Sequence, residues 1–400
     1  MAESDVFERR LRMALVRHVD GGPTDFDAIS FAQAVAAKEP RRHGLGVVLG
    51  WRGFAIPRLA WALLLLGLLL VAMVGGALIV GSQPVRKLAA MPPAFVCPPG
   101  STPDEPGPVD QARPEDPRTA AFDRRAGRLV VLADIFPGGG IKGVETWTFD
   151  VCSNTWTQMH PDQQPPTSGY QLVYDVDSDV TILISWGQVW VYDLQADSWT
   201  QKAGPQTGAT LWAYDPRSGL VVAAHDDAEM DVLGYAVETD TWTPTPIHQT
   251  NPPAASGPRS LTYDASVDRI IAYDWAGLGM SLTSLFDIRT GTWSSSGVQT
   301  PFVIAGFGMS VPVTEYDEAA ARTVVFGNDR MALYDATADR WETLDATSIE
   351  PPDGWPDSMV YDSVNERLIG CKWLPLYERK VDVIALDLVT REWTVLLEKQ

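Results

Sequence analysis

Apolar positions fall into two patterns along this chain. From Leu59 to Val80 they are continuous, LAWALLLLGLLLVAMVGGALIV, and no charged residue stands between Arg58 and Arg86. As a helix these 22 residues would be about 33 Å long at roughly 1.5 Å per residue, enough to cross a hydrocarbon layer of about 30 Å. A secretory leader has a shorter apolar stretch near the start, whereas 58 residues precede this one. The pattern predicts a single membrane helix over residues 59–81. After Ala121 the apolar residues come instead in strand-length runs: RLVVL, VTILIS, GLVVAA, RIIAY, RTVVF and RLIGC. They alternate or are wholly apolar, as strands sandwiched between other layers are.

These runs belong to a repeat. Each follows an aromatic residue and an Asp: Phe122-Asp123, Tyr174-Asp175, Tyr214-Asp215, Tyr263-Asp264, Tyr316-Asp317 and Tyr361-Asp362. A Trp then recurs at 156, 199, 242, 293, 341 and 393, at intervals of 43, 43, 51, 48 and 52 residues. Such intervals with strand-like content indicate propeller blades of four strands, A to D. Six residues before the Trp stands a second Asp in five repeats: Asp150, Asp193, Asp287, Asp335 and Asp387. At the end of strand C such a carboxylate accepts from the next free amides and closes a turn. Two positions before the Trp are Asn154, Asp197, Asp240, Gly291, Asp339 and Arg391, and all but Arg391 tolerate the left-handed conformation of a tight hairpin. Trp156, Trp199, Trp242, Trp293, Trp341 and Trp393 are expected to cover the neighbouring sheet.

Over about 280 residues this pattern resembles the kelch repeat, within the galactose oxidase and kelch-like superfamily. The shared features are the two aromatic-Asp pairs and the Trp. The family's glycine doublet after strand B is clear only at Gly138-Gly139-Gly140. The resemblance implies an all-β fold, a six-bladed kelch-like β-propeller over residues 118–400.

In such blades the A–B and C–D turns share one face, and the B–C and D–A loops the other. The first set is short and uniform; the second is irregular, as in HDDAEMD, KWLPLYERK and PTPIHQTNPPAASGPR. Variable loops on a rigid scaffold are where recognition sits, so a binding site is expected on the irregular face. Its candidates are His160, His225, Asp226, Asp227, His248, Trp275 and Trp373. Trp186 and Trp190 also offer surfaces for a sugar or peptide, although aromatics in this fold mainly pack between blades. The acids around His225 offer donors for a cation, but in so acidic a region they are expected to be solvated, and no metal or cofactor is expected.

Charge narrows the partners and sets the orientation. A net charge of −20 disfavours nucleic acid. Residues 1–58 carry 9 basic and 7 acidic side chains, leaving 22 basic against 44 acidic, or −22, in residues 82–400. Basic flanks before the span place the N-terminus in the cytoplasm and the repeat outside the cell. Residues 1–58 show two short amphipathic patterns, a cytoplasmic tail able to dock a partner. The layout resembles bacterial anti-sigma factors with one span, without their zinc-type His and paired Cys. Residues 82–117 hold ten prolines and predict a stiff stalk. All three cysteines lie beyond the span, where disulfides persist. Cys97 and Cys152 are expected to pair as exposed residues, closing a loop worth about 4 kcal/mol in the chain-entropy model, with Cys371 a buried thiol. The Ala- and Arg-rich composition is similar to that of high-GC bacteria.

The expected function is a non-catalytic binding or sensing module, anchored in the membrane and recognising an extracytoplasmic protein, peptide or glycan. Two alternatives stand beside it. One is a propeller enzyme acting on carbohydrate, resembling galactose oxidase or sialidases, for which no copper ligand set or arginine triad is evident. The other is a receptor or anti-sigma-like regulator signalling through the tail.

Overall fold

The structure, a computed structural model, describes residues 95–135, 143–168, 171–185, 187–204, 211–224, 232–243, 258–277, 280–299, 313–327, 330–344, 349–352, 355–356, 358–373 and 381–397. The tail, the apolar run Leu59–Val80 and the first part of the stalk lie outside these residues. Among the described residues no helix is long and apolar enough to cross a membrane.

The described residues form twenty-four strands in six antiparallel four-stranded sheets, each in chain order. Blade one is β1 (Pro117–Asp123), β2 (Arg128–Ile135), β3 (Gly143–Asp150) and β4 (Thr155–Gln158). Blade two is β5 (Leu172–Asp175), β6 (Val180–Ser185), β7 (Gln188–Asp193) and β8 (Ser198–Lys202). Blade three is β9 (Leu211–Asp215), β10 (Leu220–Ala224), β11 (Val232–Ala236) and β12 (Thr241–Trp242). Blade four is β13 (Pro258–Asp264), β14 (Arg269–Gly277), β15 (Met280–Asp287) and β16 (Thr292–Ser295). Blade five is β17 (Val313–Asp317), β18 (Arg322–Gly327), β19 (Arg330–Asp335) and β20 (Arg340–Leu344). Blade six is β21 (Ser358–Asp362), β22 (Arg367–Trp373), β23 (Val381–Asp387) and β24 (Glu392–Leu397). The first strand of every blade touches the first strand of the next, and β21 returns to touch β1. The ring therefore closes, and the fold is an all-β, six-bladed propeller.

One turn design serves all twelve hairpins. Four residues separate the paired ends of every A–B and C–D hairpin, as in Asp123 with Arg128 and Asp150 with Thr155. The Asp that ends the strand accepts from amides two and three residues on: Arg125 and Ala126 reach Asp123 Oδ1 at 3.0 and 2.9 Å, and Cys152 and Ser153 reach Asp150 Oδ1 at 3.0 and 3.2 Å. The fourth residue after that strand-end position is left-handed in every case, with φ between 46° and 68°. Arg391 shares this conformation at φ 63°, so the register of the fold overrides the residue's own preference. A further rule is visible only in three dimensions. In five hairpins a Tyr hydroxyl donates to an Asp at the left-handed position, Tyr174 to Asp179, Tyr192 to Asp197, Tyr235 to Asp240, Tyr263 to Asp268 and Tyr334 to Asp339, at 2.7–2.9 Å. Where the aromatic is Phe122, Phe149 or Phe286, that position is Gly127, Asn154 or Gly291 instead. Burial and the facing carboxylate raise the pKa of these phenols, which stay protonated as donors.

The core is divided among the seams between blades. In five blades the repeat Trp lies directly across from the aromatic of its own strand C, with ring centroids 4.7–5.0 Å apart, and in blade six Trp393 lies across from Leu386. The other side of the Trp meets the preceding blade. Trp199 joins Ala121, Val130, Leu132 and Val144 of blade one, and Trp293 joins Ala213, Val222, Ala224 and Val232 of blade three. Trp156 closes the ring by packing with Val360, Ile369, Val383 and Leu396 of blade six.

The cysteine pairing is as the chain predicted: Cys97 is bonded to Cys152, and Cys371 is a buried free thiol. Cys152, however, is buried rather than exposed, because its turn is covered by the segment that precedes β1. That segment, residues 95–116, was expected within the extended stalk. In the structure it is bound to blades one and six along its length.

Candidate functional site

On the hairpin end of the propeller, charged side chains link one blade to another. Arg124 of blade one forms a bidentate pair with Glu318 of blade five at 2.6 and 3.0 Å. These blades flank blade six on either side, so the pair links two blades that are not neighbours in the ring. Arg125 bonds Val176 O and Asp179 of blade two, and Arg217 of blade three pairs with Asp268 of blade four.

On the irregular end a cavity of about 250 Å³ lies at blade two, where the loop entering the blade folds over strands β6 and β7. It is lined by Pro166, Thr167, Leu183, Ser185, Gln188 and Trp190. None of these side chains is charged. The Trp190 indole N–H donates to Gln188 Oε1 at 3.1 Å. Beside it Ser185, the cross-strand partner of Gln188, has its hydroxyl 3.1 Å from that of Thr167 in the covering loop. The result is an apolar slot with an amide and a hydroxyl pair at its rim, smaller than the several hundred cubic ångströms usual for drug-sized ligands and suited to one ring or side chain. A trace of this wall is present in the sequence as Gln188-Val189-Trp190. Glu145-Thr146-Trp147 repeats it in blade one, where Trp147 donates to Glu145 at 2.9 Å.

Near the same end of blade one, buried Asp116 and Asp134 share the guanidinium of Arg118 at 2.9 and 3.0 Å. Glu315, on β17, is the other ionisable group that the repeat pattern did not mark. It occupies a position held by Ala121, Val173, Ala213, Thr262 and Val360 in the other blades, and it accepts from the Tyr361 amide of blade six at 3.2 Å. Burial first, then the charges of Glu318 and Asp317, push its carboxyl up to about 8. A carboxyl raised above its unfolded value contributes stability at low pH, and that contribution fades as pH climbs from the unfolded value of 4.5 through about 8. Glu315→Gln is therefore expected to gain in melting temperature relative to the wild type on going from pH 5 to pH 8.5. An offset independent of pH would contradict the raised value.

The sequence-chosen candidates are distributed unevenly. His160 is exposed just after β4, and its amide donates to Asp197 Oδ2 at 3.0 Å. That contact places its backbone beside the C–D hairpin of blade two rather than at the cavity. Trp275 and Trp373 lie near the irregular-face ends of β14 and β22, paired with Ser281 and Val381. His225, Asp226, Asp227 and His248 lie outside the described residues. Among the described residues no cluster of His, Cys, Asp and Glu has the makings of a metal site.

No family model matches the sequence, and no curated protein matches it. Similar solved structures include a structural genomics protein of unknown function from Bacteroides thetaiotaomicron, at 13% identity over 76% of this chain and 75% of that one, with a TM-score of 0.50. Another is a nidogen/laminin complex, at 12% identity over 57% of this chain and 79% of that one, with a TM-score of 0.40. At such identities the likeness to the Bacteroides protein is one of fold alone, in keeping with the six-bladed propeller drawn above.

Proposed function

We propose that this chain is a non-catalytic, kelch-like binding module, anchored by residues 59–81 with its tail in the cytoplasm, which recognises an uncharged extracytoplasmic ligand on its irregular face. The carrying observation is the uncharged slot lined by Pro166, Thr167, Leu183, Ser185, Gln188 and Trp190. It would take a neutral glycan residue or peptide side chain in preference to a phosphate or a metal ion. The Cys97–Cys152 disulfide supports an oxidising compartment, and the apolar run with its basic flanks supports the anchor. The Phe95 amide donates to Arg124 O in the A–B turn of blade one, so the first described residue stands at the hairpin end. The tail is then available to a cytoplasmic partner.

The test is capture of glycan and peptide arrays by the full-length protein in lipid nanodiscs. Gln188→Ala is expected to weaken capture about fivefold or more, the value of a lost hydrogen bond at a desolvated rim. Arg124→Ala, at the other end, should leave it unchanged. Capture lost with Arg124→Ala and indifferent to Gln188→Ala would move the site to the hairpin face, and preference for charged array members would exclude this slot.

A further inference from the structure

Five seams of the ring are crossed by the polypeptide as it passes from one blade to the next. The seam between blades six and one is not, because blade six ends the propeller. There the segment 95–111 takes the place of a linker. Arg367, almost wholly buried in blade six, donates to Pro103 O at 3.1 Å and pairs with Asp104 at 3.0 Å. Asn154 of blade one donates to Pro103 O and Glu105 O, both at 2.8 Å. The Gly107 amide donates to Leu396 O of blade six at 2.8 Å, and a Cβ at Gly107 would stand 1.9 Å from Asn154 O. Gln111 closes the segment onto Asn154 O and the Trp156 amide.

The residue types fit this substitution. At the left-handed position of other blades an Asp accepts from backbone amides following the preceding blade's strand D, as Asp197 does from His160, Asp240 from Ala203 and Asp339 from Gly297. At the open seam the covering segment presents carbonyls, and the residue is Asn154, whose amide can donate. The Cys97–Cys152 bond then fixes the start of the segment to that same turn.

We propose that residues 95–111 are a redox-sensitive latch: the Cys97–Cys152 disulfide holds the segment in the one seam that no linker crosses, and its reduction opens that seam ahead of the others. Reduction by a dithiol takes two electrons and two protons, so the S–S bond becomes two thiols while the dithiol closes to its own disulfide.

Cys371 serves as the reporter, because it is buried in the hydrophobic cluster of this very seam. Full-length protein in detergent is alkylated under native conditions, as wild type and as C97S/C152S, each with Cys371 as the single free thiol. Cys371 is expected to react at least about tenfold faster without the bridge, while hydrogen exchange in β14, at the seam of blades three and four, stays unchanged. Equal protection of Cys371 in both proteins overturns the latch, and so does a matching rise of exchange in β14, which signals general loosening. Asp104→Ala provides a second route, since Asp104 is 81% exposed and its loss removes no core packing. It should accelerate Cys371 with the bridge intact, and failure to do so overturns the role given to the segment.

Discussion

Asp362→Ala is expected to cost the propeller about 3–5 kcal/mol, the scale of breaking a buried ion pair from one side. Asp362 is fully buried. Its Oδ1 accepts from the Val364 and Asn365 amides at 2.9 and 3.2 Å, and its Oδ2 meets Asn365 Nδ2 at 2.8 Å and Arg367 Nε at 3.4 Å. Burial raises its pKa against the pull of these donors. Without the carboxylate, Arg367 keeps its charge in a buried site with only the exposed Asp104 as counter-ion. The matched control is Asp193→Ala, which removes the same two turn amides at 2.9 and 3.0 Å from an exposed position. That change should cost about 1 kcal/mol. Chemical denaturation midpoints of the two variants measure the difference. If they agree, the turn bonds and not the buried pair dominate at Asp362.

Trp293→Ala should be comparably damaging, by about 3–5 kcal/mol for a large aromatic removed from a core that cannot collapse around the gap. The ring is 2% exposed, lies 4.7 Å from Phe286 in its own blade, and fills the seam with blade three. Trp242 has the same repeat position and nearly the same stacking, at 4.8 Å from Tyr235, but keeps part of its surface in solvent. Trp242→Ala should therefore cost about 1–2 kcal/mol, mainly the lost stacking and partial burial. Equal losses at the two positions would show that the repeat register, and not seam burial, sets the importance of the Trp.

Much of this architecture is legible in the chain because it is local and repeated. An Asp that ends a strand finds its amides two and three residues away, and a left-handed residue must follow four positions after that strand end, so eleven of the twelve hairpins carry this signature, the exception being Ala236 in blade three. Six copies in phase imply six blades. The disulfide was legible too, since the expected position beyond the apolar run, an odd cysteine count and the apolar strand around Cys371 pointed to one pair. The Tyr–Asp contact left no firm trace in the chain, because Tyr214, Tyr316 and Tyr361 are followed five positions on by Gly219, Ala321 and Glu366, and it needed the hydroxyl to be seen reaching over the turn.

The remainder depends on contacts that recur nowhere in the sequence. No pattern announces that Arg124 of blade one reaches Glu318 of blade five, that Glu315 stands where other blades have small or apolar residues facing a neighbour, or that a Pro-rich segment read as stalk lies in the open seam. Arg391 is left-handed because hairpin closure outweighs a single residue's steric cost. Sequence alone thus determined the blades, their number and their turns, which arise from hydrogen bonds closed within a few residues. Tertiary structure decided how the ring is sealed and where it offers a cavity, because both depend on side chains from distant blades meeting in one place.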